Sequence, residues 1–551
     1  MLRVEINVSR KKKYKIAVMD SETDPFLFGR VPEPFCMEFY NGKEMQQFWG
    51  DDCADQLLDW LEEQEEQYLI YAHNGGKFDF HFLHKAIDNP ALIIKSRIVE
   101  AKLGKHKVRD SYAILPIPLR DYAKEEFNYD KMEREVREKN KDEILAYLHS
   151  DCVYLFELVS AFINRFGPKM TIGGTAIKEL EKLHPFRKNG SRHDKVCRPF
   201  YYGGRVQCFE GGELTGPWKL IDVNSMYPTV MKNFKHPING GFDIRETMPD
   251  NFNDTFFMRF YGKNRGALPS RDKDNNLVFD LKEGWFNACS HEIKVALKYD
   301  LIDIEKIDVC YVAQEQISFG AYVDKFYKEK ADCKENGDKR GELFAKLLLN
   351  SAYGRTGINP ENFEDWIIHR DFGNDDELEI NGYKKQVDYD DLELWAKPAD
   401  ILESHYCDVA IAASITSAAR SVLLEGLQQS IKPVYCDTDS IICADFNGKM
   451  DKLKLGAWDL ELEAEKCAIA GKKMYCLFDE KHIKLNGPCA DQEKRFKLSS
   501  KGGTLKLNDI IALCRGQTIE YANPAPTFSL KKAPSFVLRN FRQTVDKGEF
   551  G

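Results

Sequence analysis

The pattern of apolar and polar positions predicts an α/β arrangement over the first quarter of the chain. Short apolar runs such as KIAVMD, YLIYAHN and ALIIKS alternate with an amphipathic stretch around Cys53 to Glu66. Short apolar runs bounded by turn residues predict strands, and a recurrence every three to four residues predicts a helix. Residues 124–167 are rich in charge and keep the helical period, so we predict one long helix packed on the sheet.

The rest of the chain also mixes helices and strands. Gly173, Gly174, Pro185 and a basic segment interrupt residues 168–200, which predicts the main domain boundary there. Residues 321–354 predict two helices joined at Asn336-Gly337-Asp338. The alanine-rich run DVAIAASITSAARSVLLEGL predicts another helix, which leads to a strand pair around VYCDTDSIICADF.

Composition narrows the class of protein. A chain of 551 residues exceeds one ordinary core, so several packed units are expected. No segment approaches eighteen consecutive apolar residues, and the first residues lack the pattern of a secretory signal, which favours a soluble protein that does not enter a membrane. Fifteen cysteines without paired spacing favour a reducing compartment, so the cytoplasm is expected. The net charge of −9 is compatible with a nucleic-acid enzyme that has only a basic channel.

Acidic residues in the first third occur in a pattern that suits metal binding. In AVMDSETDPF, Asp20 and Glu22 stand two apart at the end of a predicted strand, so both side chains emerge on one face. A solvated strand end is the alternative for this pair alone. Asp79 lies in an aromatic strand-to-helix turn, and Tyr147 and Asp151 stand four apart on one helix face. Burying such acids without a partner is costly, so a cation is expected beside them.

Four acids and a tyrosine suit two-metal phosphodiester hydrolysis, with Tyr147 orienting the attacking water. The ordered set D-x-E, N-x3-F-D and Y-x3-D resembles the three exonuclease motifs of the DnaQ-like proofreading domains of family B DNA polymerases. For Phe78 and Phe82, stacking on bases and plain core packing both stay open. The resemblance implies that a frayed single-stranded 3′ end is bound or assisted by Thr23, Asn74, Phe78, Ser111 and Lys131.

A second set of acids lies in the last two thirds. Asp222 closes a predicted strand in LIDVNSMYPTVM, and Asp437 and Asp439 occupy a polar break that predicts a hairpin tip. The DTD tripeptide alone would be read as a turn filler. Together, D-x2-S-x-Y-P, K-x3-N-S-x-Y-G and DTD resemble motifs A, B and C of family B DNA polymerases.

The resemblance implies nucleotidyl transfer with two Mg²⁺ ions in each active site, Mn²⁺ being the alternative, because hard oxygen ligands suit Mg²⁺. Asp222, Asp437, Asp439 and the backbone of Val223 are expected to hold the metals. Lys346, Asn350 and Tyr353 fall at i, i+4 and i+7, on one helix face. A solvated basic helix is the alternative for such lysines. The nucleotide-binding residues expected from the resemblance are Val223, Tyr227, Lys330, Lys334, Lys346, Asn350 and Tyr353.

Three further segments have expected roles. Tyr227 resembles the steric-gate tyrosine that excludes a ribose 2′ hydroxyl. Lys473-x-Tyr475 is similar to the K-x-Y motif that grips the primer terminus. Tyr201-x-Gly203-Gly204 matches the template-binding Y-x-G-G segment, where glycines let backbone N–H groups approach phosphates; a plain glycine turn is the alternative.

Whole phrases, among them YAHNGGKFDF, RPFYYGGR, DVNSMYP, YCDTDSIIC and LGAWDLE, resemble the protein-primed polymerases of the tectivirus type. The resemblance implies a multidomain α/β fold with a DnaQ/RNase H-like exonuclease domain, a right-hand polymerase of palm, fingers and thumb, and two insertions. The expected division is exonuclease 1–190, palm 191–242, first insertion (terminal-protein contact) 243–320, fingers 321–358, second insertion (processivity and strand displacement) 359–395, palm 396–475 and thumb 476–551. The expected partners are DNA template and primer, dNTPs, a terminal protein as primer, and viral single- and double-stranded DNA-binding proteins. A monomer in the host bacterial cytoplasm is expected.

Two other classes of protein compete with this interpretation. One is a nuclease with a degenerate polymerase half, which the presence of every motif A, B and C acid and lysine disfavours. The other is a non-catalytic DNA-binding scaffold, which the paired acids disfavour because DNA binding requires basic residues.

Overall fold

The protein is described from a computed structural model that covers residues 14–119, 126–187, 191–251, 253–370, 375–388, 392–399, 408–489, 495–529 and 532–545. Part of the second predicted insertion and the basic run at residues 10–13 therefore lie outside the described residues. Within them, two seven-stranded sheets organise the chain.

The first sheet belongs to the first third of the chain. Its order is β3-β2-β1-β4-β7-β6-β5, with β1, β4 and β7 parallel to one another and the other neighbours antiparallel. The central strand β4 is buried at every position, as expected for a parallel strand covered on both faces. The elements are β1 Lys15–Thr23, β2 Pro34–Tyr40, β3 Met45–Trp49, α1 Cys53–Glu63, β4 Tyr68–Ala72, α2 Asp79–Phe82, β5 Ile87–Ile94, β6 Arg97–Leu103, β7 His106–Asp110, α3 Lys141–Phe166, α4 Ile172–Leu183 and α5 Ser191–Cys197.

The helix predicted around Cys53 is confirmed as α1, whereas the long helix predicted over 124–167 is too long. Residues 129–132 and 137–140 form separate 3₁₀ turns, and α3 begins only at Lys141. The reason is tertiary, because Arg134 and Arg137 both bind the buried carboxylate of Asp24. That contact holds the segment against the loop after β1.

The second sheet is entirely antiparallel, with the order β25-β24-β23-β9-β22-β21-β8. The largely buried helix α11 packs beneath it, and the predicted helical hairpin is confirmed as α8 and α9. The elements are β8 Val206–Cys208, β9 Gly212–Val223, α6 Met226–Asn233, β10 His236–Pro237, β11 Phe242–Arg245, β12 Phe256–Asn264, β13 Ser270–Arg271, β14 Leu277–Val278, β15 Glu283–Cys289, α7 Ser290–Lys298, β16 Ile302–Ala313, β17 Gln316–Ile317, α8 Gly320–Glu335, α9 Lys339–Thr356, β18 Glu364–His369, α10 Asp375–Ile380, β19 Lys384–Asp388, β20 Glu393–Pro398, α11 Val409–Gln429, β21 Ser430–Asp437, β22 Ser440–Phe446, β23 Trp458–Gly471, β24 Met474–Phe478, α12 Glu480–Leu485, β25 Lys497–Ser500, α13 Leu507–Cys514, β26 Ile519–Ala522, β27 Thr527–Ser529, β28 Lys532–Ser535 and β29 Leu538–Phe541.

Both predicted insertions form small sheets. The first contains the sheet β11-β16-β12-β15 with α7 packed on its buried face. The second contains β18-β20-β19, which packs on the first domain: Asn89 exchanges two hydrogen bonds with the backbone of Ile368, 2.5 and 3.0 Å long. The second insertion therefore shares a hydrophobic core with the exonuclease-like sheet.

Two predicted boundaries fall differently. The stretch predicted as the main domain boundary is helical, since α4 and α5 lie within it and α4 packs into the core that surrounds α9. The predicted palm–thumb boundary at 475/476 cuts β24, which pairs with β23 in the second sheet. By length and composition alone, Arg137–Phe166 and Val409–Gln429 could cross a membrane, but the second is 89% buried within the protein.

Candidate active sites

The first carboxylate site lies where β1, α2 and α3 meet. Burial, together with repulsion from Asp79, Glu22 and Asp151, raises the pKa of Asp20 well above its usual range. Burial and the charges of Asp151 and Asp79 raise the pKa of Glu22 to about 8. Burial likewise raises the pKa of Asp79 to about 6. The structure thus brings the four predicted acids close enough to repel one another, an arrangement that fits a divalent cation.

Ser21 was not predicted to take part in this site. Its hydroxyl donates a hydrogen bond to the Asp79 carboxylate, which lowers the pKa of that group against the larger effect of burial. The bond fixes the side chain of Asp79, which is only 2% exposed. The contact depends on how β1 packs against α2, so the D-x-E pattern by itself did not indicate it.

Tyr147 lies at the rim of the same site. Its hydroxyl is 3.0 Å from that of Tyr129, and its ring stacks on Phe127 with the centroids 4.6 Å apart. Burial, followed by the hydrogen bond with Tyr129 and the charge of Asp151, raises the pKa of Tyr147. Tyr147 is therefore held as a neutral hydroxyl beside the carboxylates. Lys131 is paired with Glu143 on the same rim.

The residues predicted to bind a single-stranded 3′ end are placed differently from one another. Asn74 has a left-handed backbone, φ 62°, in the turn before α2. Phe78 packs edge-to-face against Phe26, Phe82 and Phe528, with centroids 5.7, 5.1 and 5.3 Å away. Phe78 therefore belongs to an aromatic cluster that joins this site to β27.

Two of these residues are interior groups. Thr23 is buried, and its hydroxyl bonds to the carbonyl of Asp24. Ser111 is 0% exposed, with its hydroxyl 3.0 Å from His73 Nδ1 and 3.2 Å from the carbonyl of Ala72. The expectation that Ser111 contacts DNA directly is not favoured by this placement, because its hydroxyl is already satisfied inside the domain.

The second carboxylate site lies at the centre of the antiparallel sheet. Asp222 on β9 is directly opposite Ser440 on β22, and the N–H of Val223 donates to the carbonyl of Asp439 over 2.8 Å. Burial and the charges of Asp222 and Asp437 raise the pKa of Asp439 to about 6. The hairpin therefore brings Asp437 and Asp439 close to Asp222, which stands more than two hundred positions earlier in the sequence.

Lys473 balances the negative charge of one of these acids, Asp437. Its ammonium lies 2.9 and 2.7 Å from the two oxygens of Asp437. The phenol of Tyr435 donates to Asp437 over 3.3 Å and accepts from the backbone N–H of Lys473 over 3.0 Å. Tyr475 packs on Tyr435, with centroids 4.7 Å apart. The predicted K-x-Y segment is thus anchored to the acidic turn itself.

Two further acids at this site were not predicted. Asp459 on β23 is directly opposite Asp222, and burial, then Glu461 and Asp459, raise the pKa of Asp222. Asp459 and Glu461 both belong to the segment LGAWDLE, which contributed to the family resemblance but whose sequence pattern indicated no chemical role.

Of the predicted nucleotide-binding residues, Tyr227 and Tyr353 lie beside the second site, where both are close enough to feel the charge of Asp439. Tyr227 follows Ser225, whose left-handed backbone begins α6, and its ring stacks on Tyr353 with centroids 4.0 Å apart. Lys346 and Asn350 are exposed on the same helix as Tyr353, whereas Leu347, Leu348 and Leu349 face the core. Lys334 is exposed and Lys330 half-buried on α8. Among the described residues, Lys346 makes no ion pair and so has a free ammonium.

The Y-x-G-G loop contacts the acidic turn. A Cβ at Gly204 would lie 2.6 Å from the hydroxyl of Thr438, between Asp437 and Asp439. The N–H of Thr438, whose φ is 58°, donates to the carbonyl of Arg205 over 2.7 Å. Glycine at position 204 is therefore required by close approach.

A tighter group of possible metal ligands lies elsewhere. His369, Asp375 and Glu393 offer ligand atoms within 4.8 Å of one another. Lys385 lies 3.2 Å from Asp375 and also pairs with Glu393, so a cation of the chain already serves these acids.

An α/β domain with one carboxylate site is thus followed by an antiparallel sheet with a second carboxylate site. Solved structures of the phi29 DNA polymerase share this fold: the one with single-stranded DNA has a TM-score of 0.71 at 18% identity, covering 97% of this chain and 100% of that one. The one with primer-template DNA has a TM-score of 0.70 with the same identity and coverage. The predicted fold class is confirmed.

Relatives in sequence identify the family. The family model for DNA polymerase type B, organellar and viral, matches residues 120–442. The DNA-directed DNA polymerase of Enterobacteria phage PRD1 is 42% identical, covering 97% of this chain and 99% of that protein. The DNA polymerase of Bacillus phage Nf is 24% identical over 76% of this chain and 80% of its own length. The chain belongs to the organellar and viral type B DNA polymerases, and the predicted tectivirus-type resemblance is confirmed.

Membership in this family makes the chain a DNA-directed DNA polymerase that depends on divalent metal ions, and a proofreading exonuclease is typical of its relatives. The two groups of mutually repelling carboxylates fit that dependence, since hard oxygen donors are the ligands that such ions prefer.

Proposed function

We propose that this polymerase replicates a linear viral genome by protein priming and proofreads its product at a second site. In polymerisation, Asp222 and Asp439 hold Mg²⁺ directly, with Asp437 and the backbone of Val223 beside them. Bound there, the metal would favour attack by the 3′ hydroxyl and neutralise charge on the triphosphate. Lys346 meets the phosphates, because its ammonium is exposed and unpaired among the described residues.

The neighbouring side chains orient the substrates. The stacked rings of Tyr227 and Tyr353 form a rigid wall beside the acidic turn, so Tyr227 meets the sugar of the incoming nucleotide. The loop around Gly203 and Gly204 presents backbone groups to the template strand. Lys330 and Lys334 add positive charge from α8.

At the exonuclease site, Asp20, Glu22, Asp79 and Asp151 hold the metal ions, and Tyr147 orients the attacking water. The neutral Tyr147 hydroxyl suits that role, because it can donate to one oxygen and accept from another. Asn74 and Phe78 receive the frayed end, and Lys131 assists from the rim once DNA phosphate replaces Glu143 as its partner. Ser111 is not retained as a DNA ligand.

One observation supports this division of labour most strongly. The first group of acids lies on β1 of the first sheet and on helices α2 and α3, whereas the second group lies on and between strands of the second sheet. A primer-extension assay with Mg²⁺ and labelled dNTPs tests it. Asp439→Ala should lower extension by at least about a thousandfold and leave degradation of single-stranded DNA intact. Asp20→Ala should do the reverse. Asp445→Asn, an exposed acid on β22 paired with Lys219, is the matched control and should leave both activities within about twofold.

Loss of both activities in either alanine variant, with the fold preserved, would contradict two separate sites. If Asp439→Ala still extends primers, the DTD turn is not part of the polymerase site.

Priming by a terminal protein, the supporting viral DNA-binding proteins, a monomeric state and residence in the host bacterial cytoplasm belong to the same proposal. The first insertion is the proposed contact for the terminal protein, and the second is proposed to support processivity. Incubating the enzyme with its candidate primer protein, Mg²⁺ and labelled dNTP should yield a covalent dNMP adduct on a hydroxyl of that protein. If no adduct forms while extension of DNA primers stays intact, only the protein-priming part of the proposal is contradicted, and the polymerase site is not.

A further inference from the structure

A buried ion pair joins the first insertion to the helix beneath the second sheet. Arg420 on α11 binds Glu292 on α7 through two hydrogen bonds, 2.7 and 2.6 Å long. The side chains are 2% and 1% exposed. Charges this deep are costly unless geometry and further hydrogen bonds compensate them, so the pair needs an explanation beyond stability.

The remaining donor of Arg420 indicates what the pair holds. Its Nη1 donates to the backbone carbonyls of Tyr202 and Gly203, over 2.7 and 2.8 Å. The Arg420 guanidinium thus donates to the Glu292 carboxylate through Nε and Nη2, and to two consecutive carbonyls of the Y-x-G-G loop through Nη1. The planar fork of arginine permits this geometry, which lysine cannot reproduce.

The gripped loop continues directly to the acidic turn. Gly204 packs against Thr438, and the carbonyl of Arg205 accepts from the N–H of Thr438 over 2.7 Å. Thr438 separates Asp437 and Asp439 and has a left-handed backbone, which persists only when its surroundings hold it. A continuous set of contacts therefore runs from Glu292 to the turn.

A second residue of the first insertion, Arg271, also contacts the Y-x-G-G loop. Arg271 lies over the ring of Tyr202, 5.4 Å from its centroid, and donates to the carbonyl of Tyr201 over 3.4 Å. The loop is consequently held between α11 and the insertion, and any movement of the insertion would be transmitted to it.

We propose that Arg420 and Glu292 are positioning residues for polymerisation, which hold the Y-x-G-G loop against the Asp437–Asp439 turn and couple that turn to the first insertion. The inference rests on the proposed polymerase site. Neither side chain touches the turn, so they act through the loop backbone.

Single substitutions could unfold the protein, because each leaves one buried charge unpaired. The decisive variant is therefore Arg420→Met combined with Glu292→Leu, which removes both charges and leaves the two carbonyls unheld. We expect it to unfold within a few degrees of the wild type and to degrade single-stranded DNA within twofold of it. Its rate constant for dNMP incorporation should fall at least tenfold, with the KM for dNTP changed less than threefold.

A matched control joins the same two helices. Lys298 on α7 pairs with Glu425 on α11, but both are exposed, 57% and 38%, and neither contacts the loop. Lys298→Met combined with Glu425→Leu should incorporate dNMP within twofold of the wild type. Arg420→Lys, which keeps the charge but loses the fork, should lower the incorporation rate by more than the control does.

Incorporation within twofold of the wild type in the Arg420→Met/Glu292→Leu variant would overturn the inference. So would a parallel fall of incorporation, degradation and melting temperature, which would show a purely structural pair. If Asp439→Ala leaves extension intact, the proposed polymerase site fails instead.

Discussion

The two carboxylate sites deal with the repulsion between their acids in different ways. At the exonuclease site, burial and neighbouring carboxylates raise the pKa values of Asp20, Glu22 and Asp79. At the polymerase site, Lys473 is built into the acidic turn and pairs with both oxygens of Asp437. One site leaves its negative charge to be balanced by protons or metal ions, whereas the other balances part of it with a lysine.

The backbone explains the difference. Asp20 and Glu22 are half-buried on β1, where burial and neighbouring carboxylates act on them together. The polymerase acids lie at a strand end and a hairpin tip, and Lys473 stands in the turn between β23 and β24, within reach of that tip. We therefore expect the exonuclease site to cost more stability in the absence of metal.

The largest expected effect is on the compensated site. Lys473→Met adds one uncompensated negative charge to the polymerase turn, so we expect extension to fall about tenfold to a hundredfold and degradation of single-stranded DNA to stay unchanged. Lys473→Arg should retain part of the activity. Lys466→Met, which removes a half-exposed lysine on β23 that pairs with Glu480 of α12, is the control. Equal loss in the control and in Lys473→Met would remove the contrast between the sites.

The next effect concerns stability. Because the folded protein binds protons at Asp79 and Glu22 more tightly than the unfolded chain, stability should fall as pH rises through about 6 and about 8. Asp20→Asn combined with Glu22→Gln should raise the free energy of unfolding by roughly 1–3 kcal/mol at pH 8 in chelator, from the energy equivalent of such pKa shifts.

Denaturant unfolding followed at several pH values checks this stability effect. The gain should shrink as the pH falls towards about 4, close to the pKa values of such acids in the unfolded chain, because the raised pKa of Glu22 leaves it protonated in the folded protein at that pH. The gain should also shrink when Mg²⁺ is added to the wild type. Asp59→Asn, an exposed acid on α1, should change nothing at either pH. A double variant no more stable than this control at pH 8 would show that the buried acids cost nothing.

The smallest effect sharpens the description of the polymerase site. Tyr227→Val removes the ring stacked on Tyr353, so selectivity for dNTP over rNTP should fall at least about tenfold, through loss of a steric contact with the 2′ hydroxyl. Tyr227→Phe keeps the ring and should keep the selectivity. Comparison of kcat/KM for both nucleotides measures it, and unchanged selectivity in the valine variant would refute the steric gate.

Local rules predicted the parts of both sites that depend on short stretches of chain. Alternation along a strand placed Asp20 and Glu22 together on β1, and turn chemistry placed Asp437 and Asp439 at a hairpin tip. The same rules overextended α3, because the helical period of residues 126–140 is overridden by the arginines that bind Asp24.

Contacts between segments that are distant in the sequence could not be predicted by those local rules. The interior position of Ser111 and the hydrogen bond from Ser21 to Asp79 depend on how β7, β1 and α2 pack. Nothing near Arg420 in the sequence indicates Glu292 as its partner, 128 positions away.

The sequence by itself determined which acids, lysines and tyrosines are available for chemistry and in which turns and strands they stand, because periodicity and turn preference are properties of a few consecutive residues. Only the tertiary structure decided which charges are balanced and by what. Lys473 pairs with Asp437 and Glu292 pairs with Arg420, whereas at the exonuclease site burial and the neighbouring acids together raise the pKa of Asp20. Charge balance depends on distance and burial, which exist only once separate segments have packed together.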